Sequence, residues 1–282
     1  MNTILKKTQL AETIFRLEIE APLISQERQP GQFVILSVDD EYGERIPLTI
    51  ADADPEKGSI TIIFQAVGKT TRMLAELTPG DSLPSLLGPL GKPTHIENVG
   101  HVVCVGGGIG TAPLYPIAQA MKKAGNNLTV IIGARSDELL IMADEMRAIA
   151  DELIICTDDG SAGRKALVTE PLEELCRHVL PPDMAVVIGP PIMMKFCSET
   201  TRPYNVKTVV SLNTIMIDGT GMCGGCRVTV GKETKFACLD GPEFDGHLVD
   251  FDNLIVRLNA YKTQERQADG ECGLWSGLKK NE

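Results

Sequence analysis

Near residue 100 the hydrophobic pattern of this chain changes period, and that switch limits what it can fold into. Before it, apolar residues come in short runs cut by Pro and Gly. After it, nearly continuous apolar runs alternate with helical stretches. The first region offers strands at residues 13–19, 32–38, 46–50 and 59–64, split by Gln29-Pro30-Gly31 and Asp52-Ala53-Asp54-Pro55. Short strands at that spacing predict a small antiparallel barrel. Its one predicted helix, residues 70–77, opens on hydroxyl residues suited to capping and stops at Thr78-Pro79-Gly80. The second region offers strands at 101–105, 128–133, 152–157 and 185–189, with helices to about Lys123 and over 139–150. Buried apolar strands separated by helices predict a doubly wound parallel sheet, which residues 206–210 are expected to close.

A length of 282 residues exceeds one ordinary core and predicts two or three domains. The formal charge of -11 excludes a basic face that tracks phosphates, so nucleic acid is not an expected partner. An acidic surface suits a basic protein partner and equally suits solubility. The first residues, Met1-Asn2-Thr3-Ile4-Leu5-Lys6-Lys7, lack the apolar core of a signal peptide, and no apolar run is long enough to span a bilayer. Eight cysteines with no export signal predict reduced thiols and the cytoplasm, and no membrane partner.

Three of those cysteines gather on one glycine-rich stretch. Asp218-Gly219-Thr220-Gly221-Met222-Cys223-Gly224-Gly225-Cys226 is answered twelve residues later by Cys238. A C-x-x-C pair with a third thiol nearby supplies soft ligands for an iron–sulfur cluster or zinc. Glycines let backbone wrap closely around a cluster and aim N–H groups at its sulfides. Three thiols leave a fourth ligand to be found, and Asp218 is the nearest candidate. A structural zinc held by three cysteines and one oxygen uses the same residues, and unliganded thiols on a glycine turn are a further reading. The four histidines show no ligand spacing.

Two pieces of the barrel region carry cofactor chemistry. Arg45, Pro47 and Thr49 share one face of an extended strand, with Leu48 between them. That spacing can set a guanidinium against a phosphate while a hydroxyl reaches a flavin ring edge; a solvated arginine on a barrel strand is the other reading. Gly68-Lys69-Thr70-Thr71 puts a cation and hydroxyls at a helix N-terminus, where free N–H groups favour a diphosphate. In the second region Gly106 to Pro113 follows a strand and opens a helix, the place for a pyrophosphate, with Gly107, Gly108, Gly110 and Thr111 as candidate contacts. Thr111 stands where G-x-G-x-x-G has its third glycine. Gly189, Pro190 and Met193 lie at the same sheet edge. Asp158, at the end of another strand, would accept bonds from ribose hydroxyls and repel a 2′-phosphate, which favours NAD(H). Asp158 and Asp159 also suit a plain turn, and Arg164 and Lys165 follow closely.

Taken in this order, the motifs resemble the ferredoxin–NADP reductase superfamily over residues 1–260. Arg45-Ile46-Pro47-Leu48-Thr49 is similar to its flavin-binding strand, Gly68-Lys69-Thr70-Thr71 to its FAD diphosphate loop, Gly88-Pro89-Leu90-Gly91 to its turn between domains, and Gly106 to Pro113 to its nicotinamide loop. The resemblance implies an FAD-binding antiparallel β-barrel (1–97), a doubly wound NAD-binding α/β domain (98–211), a [2Fe–2S] region (212–260) and a C-terminal tail (261–282). More narrowly, the chain resembles the electron-transfer subunits of NAD-linked dihydroorotate dehydrogenase, which have four cysteines where this chain has Asp218 and three. The Asp, with Gly241-Pro242-Glu243-Phe244-Asp245-Gly246-His247, resembles the small subunits of NADH-dependent reduced ferredoxin:NADP oxidoreductase, also described as sulfide dehydrogenase small subunits. That likeness implies FAD, NAD(H) and a [2Fe–2S] cluster on Asp218, Cys223, Cys226 and Cys238. It also implies a larger flavoprotein partner carrying FAD and [4Fe–4S] clusters, ferredoxin as a partner through that complex, and electron bifurcation. An electron-delivery subunit of another oxidoreductase, such as dihydroorotate dehydrogenase or NADPH-linked sulfide dehydrogenase, is the alternative.

Overall fold

The computed structural model describes residues 2–39 and 44–268. Seven strands build the first unit: β1 (Asn2–Ala11), β2 (Ile14–Glu20), β3 (Phe33–Ser37), β4 (Ile46–Asp54), β5 (Ser59–Gln65), β6 (Ser82–Leu83) and β7 (Ser85–Leu90). All pair antiparallel, in the order β6-β1-β2-β5-β4-β3-β7. The two outermost strands, β6 and β7, are separated in sequence by Pro84 alone. A sheet whose opposite rims are one residue apart has to curl, and the result is a nearly closed barrel. Inside lie Ile4, Leu17, Ile19, Val34, Leu36, Ile50, Ile60, Ile62 and Phe64, plugged by Leu74 from helix α2 (Lys69–Glu76). The short α1 (Pro22–Glu27) adds Ile24. Gly88-Pro89, expected in a turn between domains, instead lies within β7, where a rim strand tolerates a proline that cannot donate. The turn itself is at Gly91, with φ +78°.

The second sheet holds β8 (His101–Gly107), β9 (Asn127–Ala134), β10 (Glu152–Thr157), β11 (Arg164–Lys165), β12 (Met184–Ile188) and β13 (Lys207–Ser211), ordered β11-β10-β9-β8-β12-β13 and parallel throughout. Successive residues of a strand point to opposite faces, and β8 shows it. Val102 and Cys104 join a core with Leu114, Ile117 and Met121 of α3 (Thr111–Lys123) and Met146 of α4 (Ala143–Ile149). Val103 and Val105 join another with Leu172 of α5 (Thr169–Cys176) and Met194 and Cys197 of α6 (Pro191–Thr201). The helix expected over 139–150 is shorter, because Met142 takes a left-handed φ of 58° and only Ala143–Ile149 is α-helical.

Residues 206–210, expected to close the sheet, supply β13 but do not end it. Beyond the hairpin β14 (Arg227–Val230) and β15 (Glu233–Phe236) and the single turn α7 (Ala237–Asp240), strand β16 (Glu243–Asp245) pairs antiparallel with β13. Helix α8 (Phe251–Leu258) follows, its first turn capped by the Asp250 carboxylate accepting from Asn253 N at 3.0 Å. Phe251 and Leu254 of α8 share one core with Cys226, Cys238, Phe244 and, from the barrel, Phe33 and Ile35. Barrel and parallel sheet meet over Ile14, Ala51 and Ile63 on one side and Ala112, Ile141 and Met142 on the other. Arg16 spans that seam to Glu145 at 2.8 Å. No helix among the described residues is long and apolar enough to cross a membrane. Cys272 and Trp275, in the expected tail, lie outside the described residues.

Candidate functional site

The parallel sheet reverses its strand order between β8 and β12, and an open α/β sheet leaves a ligand crevice at such a reversal. Both candidate nucleotide loops stand there, since Gly106 is in register with Ile188. A Cβ on Gly107 would collide with Met193 Sδ, one on Gly189 would come within 2.6 Å of Met193 Cε, and one on Gly110 would strike the Ile188 carbonyl. These three glycines let the two loops and Met193 close on each other. Gly108 differs: its φ is +54° and nothing stands within 4 Å of where a Cβ would point. The loop's open face is there. Thr111, 2% exposed, starts α3 inside the turn.

Asp158 lies two strands further along, beyond β9, with its N–H donating to the Ala134 carbonyl at 3.1 Å. Its neighbour Asp159 is committed to the turn: the Ser161 hydroxyl and amide donate to its carboxylate and hold it below the usual range. Arg164 forks onto Glu174 at 2.6 and 2.7 Å, so its charge is spent away from the strand ends. The sequence reading passed over Arg135, which is exposed at the carboxyl end of β9 next to the Asp158 strand. Its position, about 25 residues past the glycine turn, is the signal that singles it out.

On the barrel, Pro47, Leu48 and Thr49 of β4 face Ile35, Val34 and Phe33 of β3, and exposed Arg45 precedes the strand. The Gly68 loop joins it through a residue that sequence did not single out. Thr70 Oγ1 donates to Glu44 Oε2 at 3.0 Å, tying the first turn of α2 to the approach of β4. Thr71 Oγ1 accepts from Gly68 N (3.0 Å) and Val67 N (3.1 Å). Both hydroxyls expected to meet a diphosphate are therefore engaged within the protein. Lys69, exposed, and the N–H groups of the first turn are what the helix end offers an anion.

Around the cysteines, Gly219, Gly221 and Gly224 take φ of +74°, +85° and +67°, which side chains resist. Asp218 folds back on the loop, accepting from Thr220 N at 2.8 Å and Cys223 N at 2.6 Å, and these amides hold its carboxylate below the usual range. Cys226 and Cys238 are buried with their sulfurs 3.2 Å apart, while Cys223 is exposed. Burial, then the Cys226 thiol, push Cys238 up to about 12. Among the described residues no three His, Cys, Asp or Glu side chains converge on one ion position. The four candidates instead fall into two pairs, Cys226 with Cys238 and Asp218 with Cys223. Two pairs match a two-iron centre better than one tetrahedral zinc. Each carboxylate oxygen accepting one N–H keeps a lone pair for a metal. The cysteines at 104, 156, 176 and 197 are buried apart from this loop, and burial raises all four.

All three places meet at the barrel wall. A Cβ on Gly219 would come within 2.6 Å of Ile35 Cδ1 on β3 and 2.7 Å of Leu90 Cδ1 on β7. Helix α3 packs on β4, and the Gly108–Gly110 turn packs on β5. Neighbouring strands lie about 4.8 Å apart, so the cysteine loop stands on the order of 10 Å from the Arg45–Thr49 strand.

Residues 213–250 match the iron–sulfur cluster binding domain of dihydroorotate dehydrogenase B, and residues 104–199 match the oxidoreductase NAD-binding domain. The chain is 51% identical to a dihydroorotate dehydrogenase B (NAD(+)) electron transfer subunit homolog of Thermotoga maritima, covering 94% of this chain and 93% of the relative. It is 34% identical to the dihydroorotate dehydrogenase B (NAD(+)) electron transfer subunit of Bacillus caldolyticus, covering 86% and 95%. A chain from the structure of the NADH-dependent reduced ferredoxin–NADP oxidoreductase, solved for insight into flavin-based electron bifurcation, superposes with a TM-score of 0.92 at 50% identity, covering 97% of this chain and 98% of that one. Iron–sulfur and NAD-binding modules stand in the expected order behind the barrel. The chain belongs to the family of dihydroorotate dehydrogenase B-type electron transfer subunits.

Proposed function

We propose that this chain moves electrons between NAD(H), FAD and a [2Fe–2S] cluster as the small subunit of an electron-bifurcating NADH-dependent ferredoxin:NADP oxidoreductase. Residues 1–97 bind FAD, 98–211 bind NAD(H), and 212–260 hold the cluster through Asp218, Cys223, Cys226 and Cys238. Its partner is a larger flavoprotein with FAD and [4Fe–4S] clusters, through which ferredoxin reacts.

One strand carries the reading. β3 has the candidate flavin strand hydrogen-bonded along one edge and Ile35 against Gly219 of the cysteine loop. FAD, when bound, supplies the exchange between hydride and single-electron chemistry. This chain's residues supply the positions. Gly107, Gly108, Gly110, Thr111, Gly189, Pro190 and Met193 seat the dinucleotide at the strand reversal, with Asp158 towards its ribose. Arg45 and the α2 end with Lys69 hold FAD phosphates, and Pro47, Leu48 and Thr49 line its ring. Seating a diphosphate at α2 requires the Glu44 carboxylate to swing off Thr70, since like charges there repel.

Anaerobically purified protein should be yellow-brown, with about one FAD and two irons per chain. Colourless protein with zinc and no iron would sink the proposal. The family's naming favours a second reading, in which the chain carries electrons released by a dihydroorotate dehydrogenase partner to NAD(+). Copurification of the partner and an assay for orotate formation separate the two.

A further inference from the structure

One partly buried acid lies outside every site described above. Glu243, the first residue of β16, sends its carboxyl into the junction where three parts of the chain meet. Thr94 Oγ1, from the linker between barrel and parallel sheet, donates to Glu243 Oε1 at 2.5 Å. A Cβ on Gly31, in the barrel loop, would come within 2.8 Å of the same oxygen and collide with Thr94 Oγ1. Backbone bonds ring the spot: Lys92 N to Gly241 O (2.6 Å), Thr94 N to Pro30 O (2.9 Å) and Leu212 N to Pro242 O (2.9 Å). The side chain thus touches the barrel and the linker from the region that carries Cys226 and Cys238.

We propose that Glu243 is a positioning residue: in its acid form it pins the cysteine-bearing region to the barrel and linker, and loss of its proton loosens that joint. Among the described residues no cation is paired with it. Burial pushes its carboxyl up to about 7, opposed only by the Thr94 hydroxyl. From β8 the group facing it is the Cys104 thiol, which burial and then Glu243 hold up at about 12, so it stays neutral. From the linker comes Thr94 and from the barrel Gly31, neither ionisable. An ionised carboxylate at this joint has the Thr94 hydroxyl alone to offset its lost hydration, which is costly unless the joint opens to water. The sign follows. A carboxyl raised in the folded state contributes stability that is complete below its ordinary titration range and is lost as pH rises through about 7. Under the function proposed above, a looser joint at higher pH slows passage of electrons between flavin and cluster.

Hydrogen exchange at the Lys92 and Thr94 amides of the full chain, corrected for the intrinsic pH dependence of exchange, tests the joint. Protection should fall about tenfold from one pH unit below the titration to one above it. Glu243→Gln, neutral at every pH, should keep protection flat and high. Flat protection in the wild type, or an unchanged pH profile in Glu243→Gln, overturns the proposal. In cofactor-loaded protein the flavin-to-cluster step should slow over the same range while NADH reduction of the flavin does not. Equal pH dependence of both steps also overturns it. The exchange measurement needs no cofactor, so its failure is separate from failure of the electron-transfer reading.

Discussion

The nucleotide loop and the cysteine loop are both rich in glycine, yet their glycines do opposite jobs. At 110 glycine is required because the Ile188 carbonyl packs where a Cβ would go, and at 107 and 189 a Cβ would push the Met193 side chain aside. At 219, 221 and 224 it is required by left-handed backbone. The first loop is shaped by the sheet and the Met193 side chain packed around it. The second has the Asp218 carboxylate turned on its own amides beside Cys223, and one sulfur pair, Cys226 with Cys238. The lesson is that nucleotide affinity should survive loss of the cluster, while order in the cysteine loop should depend on it.

The largest effect is expected from Cys226→Ala or Cys238→Ala. Iron should fall from about two per chain to near none, with melting of the holoprotein several degrees lower and FAD content unchanged. Loss of nucleotide binding in these variants would break the contrast. Next is Gly110→Ala, whose methyl group meets the Ile188 carbonyl. It should destabilise by about 1–3 kcal/mol and weaken NADH binding, with the visible spectrum of the cluster unaltered. Asp158→Ala tests the edge of the nucleotide site. It should lower the NADH-over-NADPH preference about fivefold, equivalent to one lost hydrogen bond; an unchanged ratio removes Asp158 from the ribose site. The smallest is Asp151→Asn, remote from both loops. The Leu128 amide and then Lys122 hold that carboxylate below its usual range. Its stabilising share is therefore present above ordinary carboxylate titration and disappears as pH falls through the depressed value. Chemical denaturation of Asp151→Asn should show a deficit at neutral pH that vanishes in acid.

How much was legible follows from the range of the contacts involved. The barrel strands carry their own punctuation, and Gln29-Pro30-Gly31 announces a turn whatever lies nearby. β1 escapes because only Ile4 along it is buried, so Lys6, Lys7 and Gln9 leave no alternation to read. Helix α5 also escapes, although Leu172 and Cys176 are spaced one turn apart. The helix over 139–150 is over-read because apolar spacing continues through Met142, whose left-handed backbone answers to the seam it packs in. Site glycines and cysteines are visible because their chemistry is local. Glu44 on Thr70 and Glu243 on Thr94 join residues 26 and 149 positions apart, and no local pattern advertises such a pair.

The single proline between β6 and β7 has a practical corollary. The chain steps from one rim of the first sheet to the other in one peptide unit, so the barrel is drawn shut like a purse string. Lengthening that step with inserted residues would slacken the closure while leaving every strand intact. A fusion tag or sensor module placed at Pro84 should therefore release bound flavin long before it disturbs the parallel sheet.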